Sequence, residues 1–404
     1  MDFLIDQGKK LSYEEIIRTI NSSNSFFDSF VYPDLSSFFI NWIFALVNNQ
    51  DIQLVDADIT TRLFDDEGFR TNSKIVVGNP KKIKSIEDLV EAIRYSTSNI
   101  TLFTSGTTGF VKKISHPVSN LIRKINISSE RANDVWAFAF NPTHVAGVQV
   151  FFQTVLNQNT MVNLFLCPKE LVLEDILKFK ITNISSTPTF YRLLIPFDKV
   201  YSSVRKITIG GEKSDSKLIE SINSAFPNAR INNVYGSTET GPLFSSENDE
   251  FAIPDAKRHL IKVENNELFI HQDLFGKNDK LNLVNGFYAT GDLIEWLNME
   301  ETKFKFVSRK HEIINVGGYK VNPYEVEEEL LNIDCIKNVR VFGQTNSVLG
   351  QIVGCEIQLR DNQSLLEKEV RSFLTSKLQN YKIPRKIIFV KEIELTRTGK
   401  KKIA

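Results

Sequence analysis

Between about residue 50 and about residue 240 the chain alternates short strand-like runs with helical stretches, a pattern that confines this part to an α/β domain. Ile52-Gln-Leu-Val-Asp, Lys74-Ile-Val-Val-Gly, Asn99-Ile-Thr-Leu-Phe, Val135-Trp-Ala-Phe-Ala-Phe, Thr160-Met-Val-Asn-Leu-Phe, Asn183-Ile-Ser-Ser-Thr and Lys206-Ile-Thr-Ile-Gly read as strands. Residues 34–48, 117–127 and 171–179 read as helices, and an earlier helix is expected after Ser12, which with Glu15 fits a capping box. After residue 240 strands crowd together around Glu267-Leu-Phe-Ile-His, Ile294-Glu-Trp and Lys305-Phe-Val, an antiparallel pattern. From Glu325 the order becomes helix, strand, strand, helix, strand, a compact α+β unit. At 404 residues the chain is too long for one ordinary core. The expectation is a large multi-sheet α/β domain over 1–307 and a small, mobile α+β domain over 308–404.

Lys plus Arg and Asp plus Glu are 49 each, so no overall field favours nucleic acid or an acidic membrane. Cys167, Cys335 and Cys355 have neither disulfide-framework nor zinc-site spacing, which fits a reducing, cytoplasmic setting. The first residues lack the basic and apolar segments of a signal peptide. The most apolar run, Phe38 to Val47, is about half the ~20 residues that a membrane span needs, so it is expected to be a buried helix.

Chemistry concentrates in Leu102-Phe-Thr-Ser-Gly-Thr-Thr-Gly-Phe-Val-Lys-Lys. Gly106 and Gly109 permit close approach of backbone N–H groups to phosphate oxygens. Thr104, Ser105, Thr107 and Thr108 bring hydroxyl donors, and Lys112 a compact charge for β- and γ-phosphates. The chain has neither the G-x-x-x-x-G-K-[ST] loop nor G-x-G-x-x-G, which removes the main support for kinase-type and dinucleotide-binding readings. Taken alone, a Ser/Thr/Gly loop is also an ordinary flexible turn.

Thr104-Ser-Gly-Thr-Thr-Gly-Phe-Val-Lys resembles the signature loop of the adenylate-forming superfamily, which contains acyl- and aryl-CoA synthetases, adenylation domains of nonribosomal peptide synthetases and firefly-type luciferases. Further family-like motifs follow in the family's order: Asn233-Val-Tyr-Gly-Ser-Thr-Glu-Thr, Tyr288-Ala-Thr-Gly-Asp-Leu, the run from Ser308-Arg-Lys-His through Gly317-Gly-Tyr-Lys to Asn322-Pro-Tyr-Glu, and Thr396-Arg-Thr-Gly-Lys. The resemblance covers about residues 100 to 404. Ahead of it only Leu11-Ser-Tyr-Glu-Glu looks like a family motif, and the N-terminal region is short for the family.

The resemblance implies ATP-dependent activation of a carboxylic acid with Mg2+, then thioester formation with CoA or a carrier protein's phosphopantetheine. It places Asn233 and Tyr235 at the adenine, with Gly211 and Glu212 on the adjoining Gly210-Gly-Glu loop and Gly236 beside them, and makes Gly210 and Ser237 contacts of the acid substrate. Glu239 becomes the magnesium ligand and Thr238 a phosphate contact. Asp292 and Arg309 become ribose and phosphate contacts. Lys400, rather than Lys401 or Lys402, becomes the catalytic lysine, with Glu394 where the family usually has Pro. His311 stands at the family's hinge, where Asp or Lys is more usual, and Gly317, Gly318 and Lys320 on the loop that approaches the thiol donor.

Pro142-Thr-His-Val-Ala-Gly is one residue shorter than the family's P-x-x-H-x-x-G. It makes His144, Val145 and Gly147 candidates for the acid pocket or the thiol tunnel, with a structural histidine as the even alternative. That segment holds no Asp to pair an α-amino group, so an aryl or acyl acid is preferred. Two other readings stay open: an enzyme that loads only an acyl or aryl carrier protein, and a non-catalytic nucleotide-binding regulator.

Overall fold

The structure, a computed structural model, describes residues 1–31, 34–56, 73–105, 111–276 and 283–395, and of residues 104, 105 and 111 the backbone only. In chain order the first part holds β1 (Asp2–Asp6), β2 (Lys9–Ser12), α1 (Tyr13–Ser22), β3 (Ser25–Phe27), α2 (Leu35–Val47), β4 (Ile52–Leu54), β5 (Lys74–Val76), α3 (Ile86–Arg94), β6 (Asn99–Ser105), β7 (Val111–Pro117) and α4 (Val118–Ile122). The alternating part follows with β8 (Val135–Phe138), α5 (Val145–Leu156), β9 (Thr160–Asn163), α6 (Lys169–Lys178), β10 (Asn183–Ser186), α7 (Pro188–Leu194), β11 (Lys206–Gly210), α8 (Ser216–Ala225), β12 (Arg230–Ser237) and β13 (Gly241–Ser246). Then come β14 (Phe251–Ala252), β15 (Ile261–Glu264), β16 (Glu267–His271), β17 (Leu283–Val284), β18 (Phe287–Trp296) and β19 (Lys303–Arg309). The chain closes with β20 (Ile314–Val316), β21 (Tyr319–Val321), α9 (Pro323–Leu331), β22 (Ile336–Asn346), β23 (Gly350–Leu359), α10 (Glu367–Thr375) and β24 (Lys386–Val390).

Among the described residues the largest sheet has eight strands in the order β13-β12-β11-β10-β8-β9-β1-β2. Neighbours from β12 to β1 are parallel, and β13 and β2 close the two edges antiparallel. The N-terminal hairpin in this sheet was not foreseen: Leu4 pairs with Met161, a partner no local pattern announces. Strands β4, β6 and β7 form a small sheet, in which β6 and β7 pair antiparallel. Strands β14 to β19 form the antiparallel sheet expected after residue 240, and β20 to β24 with α9 and α10 the α+β unit. Because Ser308 and Arg309 still pair with Leu293 and Asp292, the change of sheet falls beyond the division expected at 307/308. Helix α4 starts where expected but ends at Ile122, short of the 127 expected.

Local chemistry explains the best-defined starts. The Ser12 Oγ accepts from Glu15 N (3.1 Å) while the Glu15 carboxylate accepts from Ser12 N (2.9 Å), closing the capping box. Helix α2 is apolar over most of its surface and largely buried, with Ser36, Ser37 and Asn41 on its half-buried side. Trp42 is fully covered and stacks on Phe151 of α5 with ring centroids 4.0 Å apart, and Phe39 stacks on the same ring at 5.5 Å. No helix among the described residues is long and apolar enough to cross a membrane.

Truncating the largest ring of this stack, Trp42, removes a fully enclosed side chain. Trp42→Ala is expected to lower the unfolding free energy by about 3–5 kcal/mol. Urea titration checks it; a loss below ~1 kcal/mol would mean that the α2–α5 stack is not what holds this layer together.

Candidate nucleotide site

Parallel strands that neighbour one another all end on one edge of a sheet, so the segments that follow them meet there although they are far apart in sequence. The segment Asn141–Val145 follows β8, Gly210–Glu212 closes β11, and Tyr235–Glu239 closes β12. The glycines fit this crowding. A Cβ at Gly210 would sit 2.9 Å from the Val234 carbonyl oxygen, and one at Gly236 would sit 2.5 Å from that of Gly241. Gly211 has a φ of +84°, the left-handed conformation in which glycine carries no steric penalty.

Asp292 is the meeting point of the two main sheets. Its carboxylate accepts from the Tyr235 Oη of β12 at 2.5 Å and faces the Arg309 Nε of β19 at 3.0 Å. Burial, then the Asp292 charge, pushes the Tyr235 phenol well above its ordinary value, so it stays a donor. Burial opposes the Arg309 charge, yet Asp292 and Glu312 raise the guanidinium above its ordinary value. The Tyr235 ring stacks on Phe306 at 4.1 Å, which fixes the strand end on the antiparallel sheet. Behind Asp292, its N–H donates to Thr290 Oγ1 (3.0 Å), Gly291 N donates to Glu267 (3.1 Å), and Lys310 Nζ reaches the same carboxylate at 2.8 Å.

The turn at Thr238–Thr240 is held by its backbone. Three consecutive carbonyl oxygens accept from three different segments: Thr238 from His116 Nε2 (2.7 Å), Glu239 from Gly276 N (2.8 Å) and Thr240 from Arg123 (2.8 Å). His116 lies on β7, is fully buried, and has its Nδ1 3.2 Å from Asn120 Nδ2, so the ring is a neutral tautomer with the proton on Nε2. A Cβ at Gly276 would enter that ring at 2.5 Å. Lys124 donates to the Leu243 carbonyl at 2.8 Å, and burial, with Lys257 and Arg123 adding to it, pushes its ammonium down to about 8. The Glu239 side chain, by contrast, makes no hydrogen bond or ion pair among the described residues. Sequence reasoning missed His116, Arg123 and Gly276; the one available signal was a histidine four residues past Lys112 in an otherwise ordinary strand.

The remaining candidates are distributed as follows. Lys112 is on β7 opposite Thr104, so it flanks the signature loop. Thr104 and Ser105 end β6, but their side chains, all of Gly106, Thr107, Thr108 and Gly109, and Lys400 lie outside the described residues. Asn233 shares a face of β12 with Tyr235 and donates its amide to Asp249. The Glu212 carboxylate accepts from Thr189 N (3.2 Å) and Oγ1 (2.6 Å) in the first turn of α7, and Ser237 closes its turn with Thr240. His144 caps α5, Val145 is buried in the core, and a Cβ at Gly147 would meet the Asn141 carbonyl at 2.3 Å, so packing accounts for the last two. The segment does have a carboxylate neighbour, which the sequence did not reveal: Asn141 Nδ2 donates to the buried Asp56. Gly317 and Gly318, both at positive φ, form the two-residue turn of the β20–β21 hairpin; Lys320 is exposed beside it. His311 stands between the two sheets, 4.0 Å from Glu312. No group of three or more potential metal ligands occurs among the described residues.

A multi-sheet α/β chain with a smaller C-terminal domain, with these motifs at the sheet edge, has the adenylate-forming fold. The chain belongs to the AMP-binding enzyme family: that family's model matches residues 52–266, and the model of the AMP-binding enzyme C-terminal domain matches residues 325–400. It is 28% identical over 384 residues to a 4-hydroxybutyrate–CoA ligase of Metallosphaera sedula, covering 83% of this chain and 66% of that protein. It is 25% identical over 334 residues to a 2-succinylbenzoate–CoA ligase of Staphylococcus epidermidis, covering 74% of this chain and 67% of that protein. The chain thus spans about two thirds of the length of these curated relatives. An o-succinylbenzoate CoA synthetase of Bacillus subtilis, solved with ATP and magnesium ion, superposes with a TM-score of 0.72 at 18% identity, covering 99% of this chain and 95% of that one.

Burial holds His116 below its ordinary value of 6.5, although the Thr238 carbonyl favours the protonated ring. Below that value the unfolded chain takes up the proton first, so this part of the stability is present near pH 7 and lost as pH falls toward the folded value. His116→Gln, which retains a donor, is expected to flatten the fall in urea midpoint between pH 7 and 5. An unchanged slope would mean that another group is responsible.

Proposed function

We propose that the chain activates a carboxylic acid with ATP to an acyl-adenylate and pyrophosphate, and then transfers the acyl group to a thiol. The observation that carries this reading is Asp292, held between Arg309 and Tyr235, the latter on the strand end that leads into the Glu239 turn. Each Asp292 oxygen takes one of these partners, while an ionised carboxylate accepts about four hydrogen bonds, which leaves capacity for both hydroxyls of a ribose. The Glu239 carboxylate, uncommitted among the described residues, suits Mg2+, which takes one or two protein carboxylates and completes its shell with phosphates and water. Glu239 would hold that ion, which when bound supplies positive charge for a departing pyrophosphate.

In the first half-reaction an acid oxygen forms a bond to the α-phosphorus as the bond to the β-phosphate bridge breaks. No side-chain nucleophile is needed; the residues position groups and neutralise charge. Tyr235 and Asn233 face the base, Asp292 and Arg309 hold the ribose, Thr238 and Lys112 with the Thr104–Gly109 loop take the phosphates, and Lys400 bridges the attacking acid and the α-phosphate. In the second half a thiolate attacks the acyl carbon and AMP leaves. The thiol comes from outside: Cys355 is buried with its pKa pushed up to about 12, and burial also raises that of Cys167. CoA is favoured over a carrier protein's phosphopantetheine because the relatives described above are named as CoA ligases. An aryl or acyl acid is favoured over an amino acid, since Asp56 is already bonded to Asn141. The small domain beyond Lys310 acts as a lid turning about His311, with Gly317, Gly318 and Lys320 approaching the thiol, and His144 lines the acid pocket.

Pyrophosphate exchange over a panel of aryl, acyl and amino acids, with CoA and carrier proteins compared as acceptors, tests the reaction. ATP that binds without acid-dependent exchange would favour a regulator instead. Lys400→Ala is expected to lower exchange by about two orders of magnitude or more with little change in ATP affinity; a variant that exchanges normally would remove the lysine from the mechanism. His311→Pro is expected to slow thioester formation more than adenylation, and equal losses in the two assays would count against the hinge.

A further inference from the structure

The tip of the β13–β14 connection sends one carboxylate to the base-reading face of β12. Asp249 adopts a φ of +65°, a left-handed conformation that Asp tolerates better than most residues. Its neighbours hold it there: Ser246 Oγ donates to the Glu250 carbonyl (2.7 Å) and accepts from Asn248 N (3.2 Å). So placed, Asp249 accepts from the Asn233 side-chain amide.

The two ends of an asparagine amide have nearly the same shape and opposite hydrogen-bonding character, so something must decide which end faces a ligand. An ionised carboxylate only accepts, and so it can face only the NH2 end. Asn233 Oδ1 is thereby turned away from Asp249, and it makes no hydrogen bond among the described residues. It shares its strand face with Tyr235, whose hydroxyl reaches the Asp292 carboxylate.

We propose that Asp249 is a positioning residue for nucleotide selection: by fixing the Asn233 amide it offers only an acceptor to the base, which admits the exocyclic amine of adenine and rejects a 6-oxopurine. This rests on the reading of Asn233 as the base contact. Asp249 acts entirely through Asn233 and touches no reacting atom.

Dissociation constants for Mg-ATP and Mg-ITP, measured by calorimetry, test it on the unmodified protein, Asp249→Asn, Asn233→Ala and the double variant, with thermal unfolding as a check on the fold. The unmodified protein is expected to prefer ATP at least about tenfold. Asp249→Asn can present either amide end to its neighbour, so the preference is expected to shrink by about tenfold, largely through improved ITP binding. Asn233→Ala is expected to shrink it similarly, and the double variant no further. Asp249→Ser, whose hydroxyl both donates and accepts, should repeat the effect if the first variant folds poorly. A preference retained in both Asp249 variants but lost in Asn233→Ala would overturn the proposal while leaving Asn233 as the base contact. Equal weakening of ATP and ITP in the Asp249 variants would overturn it as well, since it would indicate a merely structural role. A preference unchanged in Asn233→Ala, or absent from the unmodified protein, would remove the base-contact reading and the proposal together.

Discussion

One carboxylate joins the two halves of the large region. Asp292 sits on an antiparallel sheet opposite Arg309 of β19, the last strand before the small domain, while its other partner, Tyr235, arrives from β12 of the parallel sheet. Burial drives the Tyr235 phenol to remain protonated, and the Arg309 guanidinium is kept charged by the acid beside it. A carboxylate left here without them would be an uncompensated buried charge, so the position of Asp292 fixes the positions of Tyr235 and Arg309. The end of β12 then cannot move independently of the strand that leads into the C-terminal domain.

Sequence reasoning succeeded where the cause was local. The capping box at Ser12 and Glu15, the apolar wrap of α2 and the strand–helix alternation are all determined within a few residues, and each lies in the structure where the pattern puts it. It failed where a residue's meaning depends on a distant partner. Leu4 is an ordinary apolar residue until it pairs with Met161, and His116 is an ordinary strand histidine until the Thr238 carbonyl lies 2.7 Å from its ring. Asp249 is a loop acid until Asn233 faces it. Motif residues were legible as a set while their separate causes were not: Gly236 and Gly147 stand within motif-like segments, but in the fold each is first a place where backbone passes too close for a Cβ.

The parallel sheet explains why so few residues need to travel far. The sheet order places β8, β10, β11 and β12 side by side, so segments separated by dozens of residues share one edge without long excursions. Strand β7, outside this sheet, connects to the same edge through His116, whose ring spans from the hairpin flanking the signature loop to the Glu239 turn. The neutral ring suits this contact: Nε2 donates to a carbonyl while Nδ1 accepts from Asn120, and protonation would turn that acceptor into a second donor facing an amide NH2.

The Glu239 turn separates backbone from side chain in a way that bears on metal binding. With the carbonyls of residues 238, 239 and 240 each bonded to a different segment, the turn has little freedom to reorganise. The Glu239 carboxylate, which has no such partner among the described residues, need break no hydrogen bond or ion pair among them to reach a cation. A small divalent ion that demands near-octahedral geometry gains from a ligand whose main chain is already fixed, because less ordering remains to be done when it binds. In the metal role proposed for it, the Thr238-Glu239 pair would therefore draw on His116, Arg123 and Gly276 as well as on the motif itself.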